Sequence, residues 1–359
     1  MKIVVDINHP AHVHYFKNFI WEMDKKGHEV VITASEKDIT TRLLEAYNLE
    51  YINVGSYGTS LLKKFVNIPL IDLRYYRIMR NINPDIFIGF GSIRAAHIAY
   101  ALGKPCINFE DTEHSTEQIR LYLPFVSAVC TPSCYTEDLG EKHVRFTGYM
   151  ELGALHPNCF TPNPDILEEI GLTKDDLFII VRFVSWEASH DIGQHGIRDK
   201  IGFVKELEQY GRVLITSEGT LPTELEKYKI RVSPEKLHDL LYYATLYVGE
   251  GATTASECAI LGTHAVYVNT LRLGYTDEQE QRYGLVKNCS NPETMGEEVY
   301  TIVHELLNTR DLKAKGKEKR RKLLQDKIDV TAFMVDFIEQ YPENLEKYAI
   351  NDPKNSEDF

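Results

Sequence analysis

Val248-Gly249-Glu250-Gly251-Ala252-Thr253-Thr254-Ala255-Ser256-Glu257-Cys258-Ala259-Ile260-Leu261-Gly262 constrains the fold of this chain more than any other stretch. The apolar run Ala244 to Val248 reads as a buried strand and the small residues after it as a turn. A run of helix formers follows that Gly262 can close, and Ala265 to Val268 resumes an apolar strand. This is one βαβ unit with a bare helix N-terminus at its tip. Such a tip has unpaired N–H groups and the positive end of the helix dipole, so it can hold a phosphate without a lysine. Glu257 falls about one turn further in, where a carboxylate can accept from both hydroxyls of a ribose. Gly251, Thr253, Thr254, Ser256 and Glu257 are therefore candidate nucleotide-binding residues.

The first half of the chain repeats the same alternation. Ile3 to Ile7 is an apolar strand, a helix with Phe16, Phe19, Ile20 and Met23 on one face follows, and Glu29 to Thr33 is a second strand. Further strands are expected at Tyr51 to Val54, Asp85 to Gly89, Pro105 to Phe109 and Ala128 to Cys130, with helices between them, one ending near Met79 and one at Ile93 to Leu102. Strands alternating with helices give a parallel sheet covered on both faces. The connection Asn8-His9-Pro10-Ala11-His12-Val13-His14 lies after a strand and before a helix, where open α/β sheets place ligands. Its three histidines have three readings: helix capping with packing, a metal site, or general-base and substrate-phosphate contact. Gly89-Phe90-Gly91-Ser92 is a second glycine turn into a helix, a feature that often only lets helix and strand pack closely. Glu110-Asp111-Thr112-Glu113-His114 follows another strand end and carries three acids and an imidazole. It is either a solvated acidic loop or the material of acid–base chemistry. Glu117 and Arg120 share a helix face beyond it, at a spacing where they can pair with each other.

Pro157, Pro162 and Pro164 with Asn158 and Asn163 mark a connection. The expected division is a first domain over 1–150, a linker over 151–165, a second domain over 166–328, a helix over 329–342 that crosses back to the first domain, and a polar tail over 343–359. The 359 residues are enough for two cores. In the second domain Leu177 to Phe183, Val213 to Thr216 and Ile230 to Val232 read as strands and Pro234 to Tyr243 as a helix. The loop Ser185-Trp186-Glu187-Ala188-Ser189-His190-Asp191 occupies the same topological place as the histidine loop, and the two are expected to face each other across a cleft. Ser185 and Trp186 join the nucleotide candidates, with Trp186 either stacking a base or anchoring the loop. The polar loop Thr270 to Glu280, with Thr276 and Gln279, is suited to reading sugar hydroxyls.

Net charge of −13 argues against a general nucleic-acid binder, which needs a basic face. Six cysteines without a CxxC pair make neither a disulfide framework nor a structural zinc site. The expectation is a reduced cytoplasmic compartment, with no leader ahead of the first strand and no membrane span. The basic run Lys313, Lys315, Lys317, Lys319, Arg320, Arg321 and Lys322 is a solvated helix face or a weak contact to the inner face of an anionic membrane. Oligomeric state is not legible.

Two αβ domains with a nucleotide site in the second resemble the GT-B fold, that of many glycosyltransferases and of UDP-N-acetylglucosamine 2-epimerase. To about residue 341 the chain resembles a family of unknown function in that superfamily. The motifs are Asp6-Ile7-Asn8-His9-Pro10-Ala11-His12-Val13-His14, Phe109-Glu110-Asp111-Thr112-Glu113, Gly148-Tyr149-Met150-Glu151-Leu152 and Gly251-Ala252-Thr253-Thr254-Ala255-Ser256-Glu257. Similarity to the transferase that adds N-acetylglucosamine to lipid II places His12 where that enzyme has a histidine at the start of its first helix. The same similarity matches Glu257 to a ribose-binding glutamate and Gln279 to a sugar-reading glutamine. The glycines of that enzyme's first turn are replaced here by Asn8-His9-Pro10-Ala11. Resemblance to the epimerase sets Glu117 and Arg120 near a Pro-Glu-Glu-x-Asn-Arg segment, but the accompanying Glu-Ala-Gly-Leu-Arg is missing.

The resemblance implies a transferase that moves a sugar from a nucleotide diphosphate donor, UDP first among them, to an unknown acceptor hydroxyl. His12 or Asp111 would be the base with Glu110 beside them, and His9, His14, Glu117, Arg120, Thr276 and Gln279 would contact sugar or acceptor. The chain has no Asp-x-Asp, so neither a metal clamp nor a cofactor is expected. The alternatives are a 2-epimerase working through Glu110, Asp111 and Glu117, and a nucleotide-sugar sensor without turnover.

Overall fold

The computed structural model describes residues 1–35, 38–55, 61–184, 196–217 and 219–345, with backbone only for 38 and 61–68. The chain forms two compact units, Met1–Ala154 joined by the segment from Ile328 onward, and Leu155–Lys327.

The first unit is built on β1 (Lys2–Ile7), β2 (Glu29–Ala34), β3 (Tyr51–Asn53), β4 (Ile86–Phe90), β5 (Cys106–Phe109), β6 (Ala128–Pro132) and β7 (His143–Phe146), in the order β3-β2-β1-β4-β5-β6-β7. Every pairing is parallel. Its helices are α1 (Pro10–Lys25), α2 (Asp38–Ala46), α3 (Leu61–Ile82), α4 (Ile93–Leu102) and α5 (Thr116–Tyr122). The strands run as continuous apolar stretches because helices cover both faces, leaving no solvated side for polar alternation. The strand order reverses between β1 and β4, so the turns after these two strands border the crevice where such sheets take ligands.

A short helix, α6 (Leu152–Leu155), closes the first passage, and α7 (Asp165–Glu169) opens the second unit. Here β8 (Phe178–Phe183), β9 (Arg212–Ser217), β10 (Leu246–Gly249), β11 (Ala265–Val268) and β12 (Val286–Cys289) form a second parallel sheet, in the order β12-β11-β10-β8-β9. Its helices are α8 (Lys200–Leu207), α9 (Leu237–Tyr243), α10 (Ala252–Leu261), α11 (Gly274–Glu278), α12 (Met295–Leu307) and α13 (Leu312–Asp326). The reversal lies between β8 and β10, which sets α10 at this sheet's switch point.

The last helix, α14 (Val330–Glu339), belongs to the first unit. Asn18 Nδ2 and Thr331 Oγ1 both donate to the Gly153 carbonyl, at 2.7 and 2.9 Å. Phe333 stacks on Phe146, and Glu339 accepts from Lys26. A Cβ on Gly153 would stand 2.8 Å from the Tyr15 carbonyl oxygen, so only glycine lets this segment approach α1 so closely.

Three readings of the sequence differ from what forms. Residues 151–155, expected within the linker, are buried: Leu152, Ala154 and Leu155 fill core positions. Ile230 to Val232 is not a strand. Lys229 makes one bridge to Ile215 and Ile230 one hydrogen bond to it, after which Pro234 opens a helical turn and ends the approach to the sheet edge. The segment Thr270 to Glu280 is not an open loop, because α11 and a π-helical turn over Gln279–Tyr283 take up most of it.

Candidate functional site

In the second unit, β10 ends at Gly249 and α10 starts with Gly251 as its N-cap, in extended conformation and without a side-chain cap. The first N–H groups of α10 therefore have no partner within the helix. Gly249 is registered against Arg182 of β8. A Cβ at Gly249 would meet the Tyr247 hydroxyl at 2.5 Å and the Arg182 Cβ at 2.9 Å, and one at Gly251 would stand 3.1 Å from Arg182 Nε. The two glycines thus let a guanidinium lie against the helix tip, where it adds a full positive charge to the dipole. Tyr247 donates to the Gly251 carbonyl at 3.1 Å, and burial holds its phenol well above the ordinary range.

Glu250, buried at the same strand end, accepts from Val184 N and Ile197 N, both at 2.9 Å. It fixes the two chain positions that flank residues 185–195. Ser185 and Trp186 lie outside the described residues. Glu257 is 5 % exposed, and its Oε1 meets His238 Nε2 at 2.9 Å. Thr253 is half-buried, Thr254 buried.

Ser256 and Gln279 are brought together: Gln279 Nε2 donates to Ser256 Oγ at 2.7 Å, and neither is exposed. Thr276 is equally buried and its hydroxyl donates to the Leu273 carbonyl. Thr276 and Gln279, expected on an open polar loop, are thus buried side chains of a helical segment. The chain around them folds into helix, and helical backbone captures a threonine hydroxyl locally.

In the first unit the turn after β1 is held from below. Asp6 is fully buried and accepts from Thr33 Oγ1 at 2.6 Å, Ser92 Oγ at 2.5 Å, Asn8 Nδ2 at 3.0 Å and Arg94 Nε at 2.9 Å, and it forms an ion pair with the Arg94 guanidinium, Nη2 standing 2.7 Å from Oδ1. Arg94 Nη1 also donates to Ser35 Oγ. Composition alone does not pair Asp6 with Arg94, since one ends a strand before the histidine turn and the other follows the glycine turn 88 residues later.

The three histidines diverge from this turn. His9 is the N-cap of α1, its Nδ1 accepting from Ala11 N at 3.2 Å. His14 Nδ1 lies 3.4 Å from the Tyr47 hydroxyl. His12 is buried against Phe90, ring centroids 4.8 Å apart, and its Nδ1 accepts from Asn8 N at 3.3 Å. A backbone N–H can only donate, so the neutral His12 ring carries its proton on Nε2. In that tautomer Nε2 is a donor, suited to an anionic oxygen. Among the described residues no three His, Cys, Asp or Glu side chains are grouped to hold a metal.

The acid loop after β5 is not solvated. Glu110, Asp111 and Glu113 are all buried. Glu110 Oε1 accepts from the N–H groups of Asp111 and Thr112, at 3.2 and 3.1 Å, and Oε2 from the Tyr122 hydroxyl at 3.1 Å. Burial, then the neighbouring Asp111 charge, push the Glu110 carboxyl up to about 8. Burial also pushes Asp111 up to about 7, with Glu113 adding to the shift and the Thr112 hydroxyl opposing it. Both acids therefore titrate where a general acid or base is useful. Glu117 and Arg120, on α5, are exposed and outside this buried group.

The family model described as "Protein of unknown function (DUF354)" matches residues 1–343. The chain belongs to the DUF354 family. An uncharacterized protein of Methanocaldococcus jannaschii is 24% identical to this DUF354 chain over 279 residues, covering 74% of the chain and 81% of that protein. Among solved structures, spinosyn forosaminyltransferase superposes with a TM-score of 0.64 at 13% identity, covering 96% of this chain and 99% of its own. The UDP-GlcNAc 2-epimerase of Neisseria meningitidis, bound to UDP-GlcNAc, gives 0.63 at 12% identity, with 95% and 100% covered. At such identities these likenesses establish the fold, and the DUF354 fold is GT-B, two parallel-sheet α/β domains. Among the described residues no helix is long and apolar enough to cross a membrane.

Proposed function

We propose that the chain is a nucleotide-sugar enzyme whose second unit binds a nucleoside diphosphate, UDP foremost, and that it transfers the sugar to an acceptor hydroxyl. The observation that carries this reading is the uncapped tip of α10 at the sheet's switch point, with Arg182 against it and Glu257 on the same helix. The amides of Ala252 to Thr254 and the Arg182 guanidinium suit a diphosphate, and Glu257 suits a ribose. The epimerase structure named above holds UDP-GlcNAc, which supports the choice of ligand.

In the transfer, the acceptor oxygen forms a bond to the anomeric carbon as the bond from that carbon to the diphosphate breaks. The diphosphate leaves with the electron pair, stabilised at the helix tip. In the first unit Asp111, raised to about 7, is the group suited to take up a hydroxyl proton. In the same unit His12, with Nε2 as the donor of its neutral ring, suits an anionic oxygen.

The buried pair Glu110 and Asp111 also favours a second reading, a 2-epimerase that eliminates the nucleotide and adds it back. Donor alone in deuterated water separates the two: deuterium in the recovered sugar belongs to the epimerase. The site itself is tested with Glu257→Ala by calorimetry with UDP. Loss of about tenfold or more in affinity is expected for a hydrogen-bonded carboxylate; unchanged affinity rejects the assignment.

A further inference from the structure

Glu257 does not stand alone in the second unit. His238, near the start of α9 and buried, has its Nε2 2.9 Å from Glu257 Oε1. A carboxylate can only accept, so the proton between them sits on His238 Nε2. α9 is itself anchored: Phe160 packs edge-on against the His238 ring, Asp239 Oδ1 accepts from Asn163 N, and Lys236 reaches Glu169. The imidazole is thus a fixed donor on a fixed helix, aimed at one oxygen of an acid carried by another helix.

The consequence is geometric. A glutamate side chain has three rotatable bonds, and a carboxylate that is to accept from two adjacent hydroxyls must keep one orientation. The His238 bond engages Oε1 and so restrains the orientation of the whole carboxylate. We infer that His238 is a positioning residue for ribose recognition: it orients the Glu257 carboxylate so that the site distinguishes a ribonucleoside diphosphate from its 2′-deoxy counterpart. This rests on the proposed nucleotide site and adds to it the selection of the sugar of the nucleotide.

The test compares UDP with 2′-deoxy-UDP by calorimetry on the full chain, in four forms: native, Glu257→Gln, His238→Met and His238→Gln. Methionine fills the imidazole's space without a donor, and glutamine restores a donor N–H. The native protein is expected to prefer UDP by about tenfold or more, the scale of a hydrogen bond to a charged group. His238→Met is expected to weaken UDP more than 2′-deoxy-UDP, so that the preference falls to near one, and His238→Gln to keep the preference. Thermal unfolding of each form checks that the fold persists.

A His238→Met protein that retains the full preference, when Glu257→Gln has lost it, overturns this inference alone. Loss in both His238 variants assigns the effect to packing and also overturns it. Native protein that binds both nucleotides equally removes the ribose role of Glu257 together with that of His238. No binding of either nucleotide ends the nucleotide reading itself.

Discussion

Arg94 Nη2 and Asp6 Oδ1 lie 2.7 Å apart, and neither side chain is exposed to water. The pair joins the end of β1 to the first turn of α4, and through Ser92 and Asn8 it holds the two turns that border the first sheet's switch point. Desolvating two charges offsets most of their attraction, so the pair fixes geometry more than it adds net stability.

Removing one partner leaves the other charged and uncompensated. Asp6→Ala is therefore expected to lose about 3–5 kcal/mol of unfolding free energy. The double replacement Asp6→Leu with Arg94→Met should cost less than that single change, since no buried charge remains. Urea unfolding measures both. A single variant within about 1 kcal/mol of the native protein, or a double variant worse than the single, contradicts this account.

At the other sheet, Gly251 keeps the tip of α10 open. Its φ of −97° and ψ of 115° suit a β-branched residue, so Gly251→Val is compatible with the backbone. The added Cβ would come within 3.1–3.2 Å of Arg182 Nε and Cδ, and the branched carbons beyond it are expected to crowd the approach to the amides. We expect about 1 kcal/mol of lost stability, from the poorer cap, and a fall in UDP affinity of about tenfold or more. Calorimetry beside thermal unfolding separates the two effects, and undiminished UDP binding would place the phosphate elsewhere.

The sequence made the local units readable. Apolar runs such as Ile3 to Ile7 and Leu246 to Val248 are bounded by glycines and polar turns, and their periodicity differs from that of α1 with Phe16, Phe19 and Ile20 on one face. Strand order was not readable, and the partnerships that shape the sites depend on it. Asp6 finds Arg94 because β1 lies beside β4, and Arg182 finds Gly251 because β8 lies beside β10. Thr276 illustrates the converse: the polar composition around it suited a loop, yet a short helix forms there and buries it. The loop Glu110 to Glu113 was recognisable as acidic, while its burial under Tyr122 depended on how α5 packs back. Burial of that loop makes the stability of the fold depend on pH.

Glu110 and Asp111 hold protons in the folded state up to about 8 and about 7, against ordinary values of 4.5 and 3.8. In the unfolded chain both ionise near their ordinary values. Between about pH 4 and pH 8 the folded state therefore binds more protons, and stability falls as pH rises through that window. Every tenfold difference in proton affinity between folded and unfolded chain corresponds to about 1.4 kcal/mol. Glu110→Gln keeps the carbonyl acceptor for the Asp111 and Thr112 amides but removes the charge. It is expected to match the native protein at about pH 5 and to exceed it in stability at about pH 8.5, with a flatter dependence between. Urea midpoints across this range measure it. If the native protein is equally stable at both ends, or the variant follows the native slope, Glu110 ionises without penalty and burial is not what governs this loop.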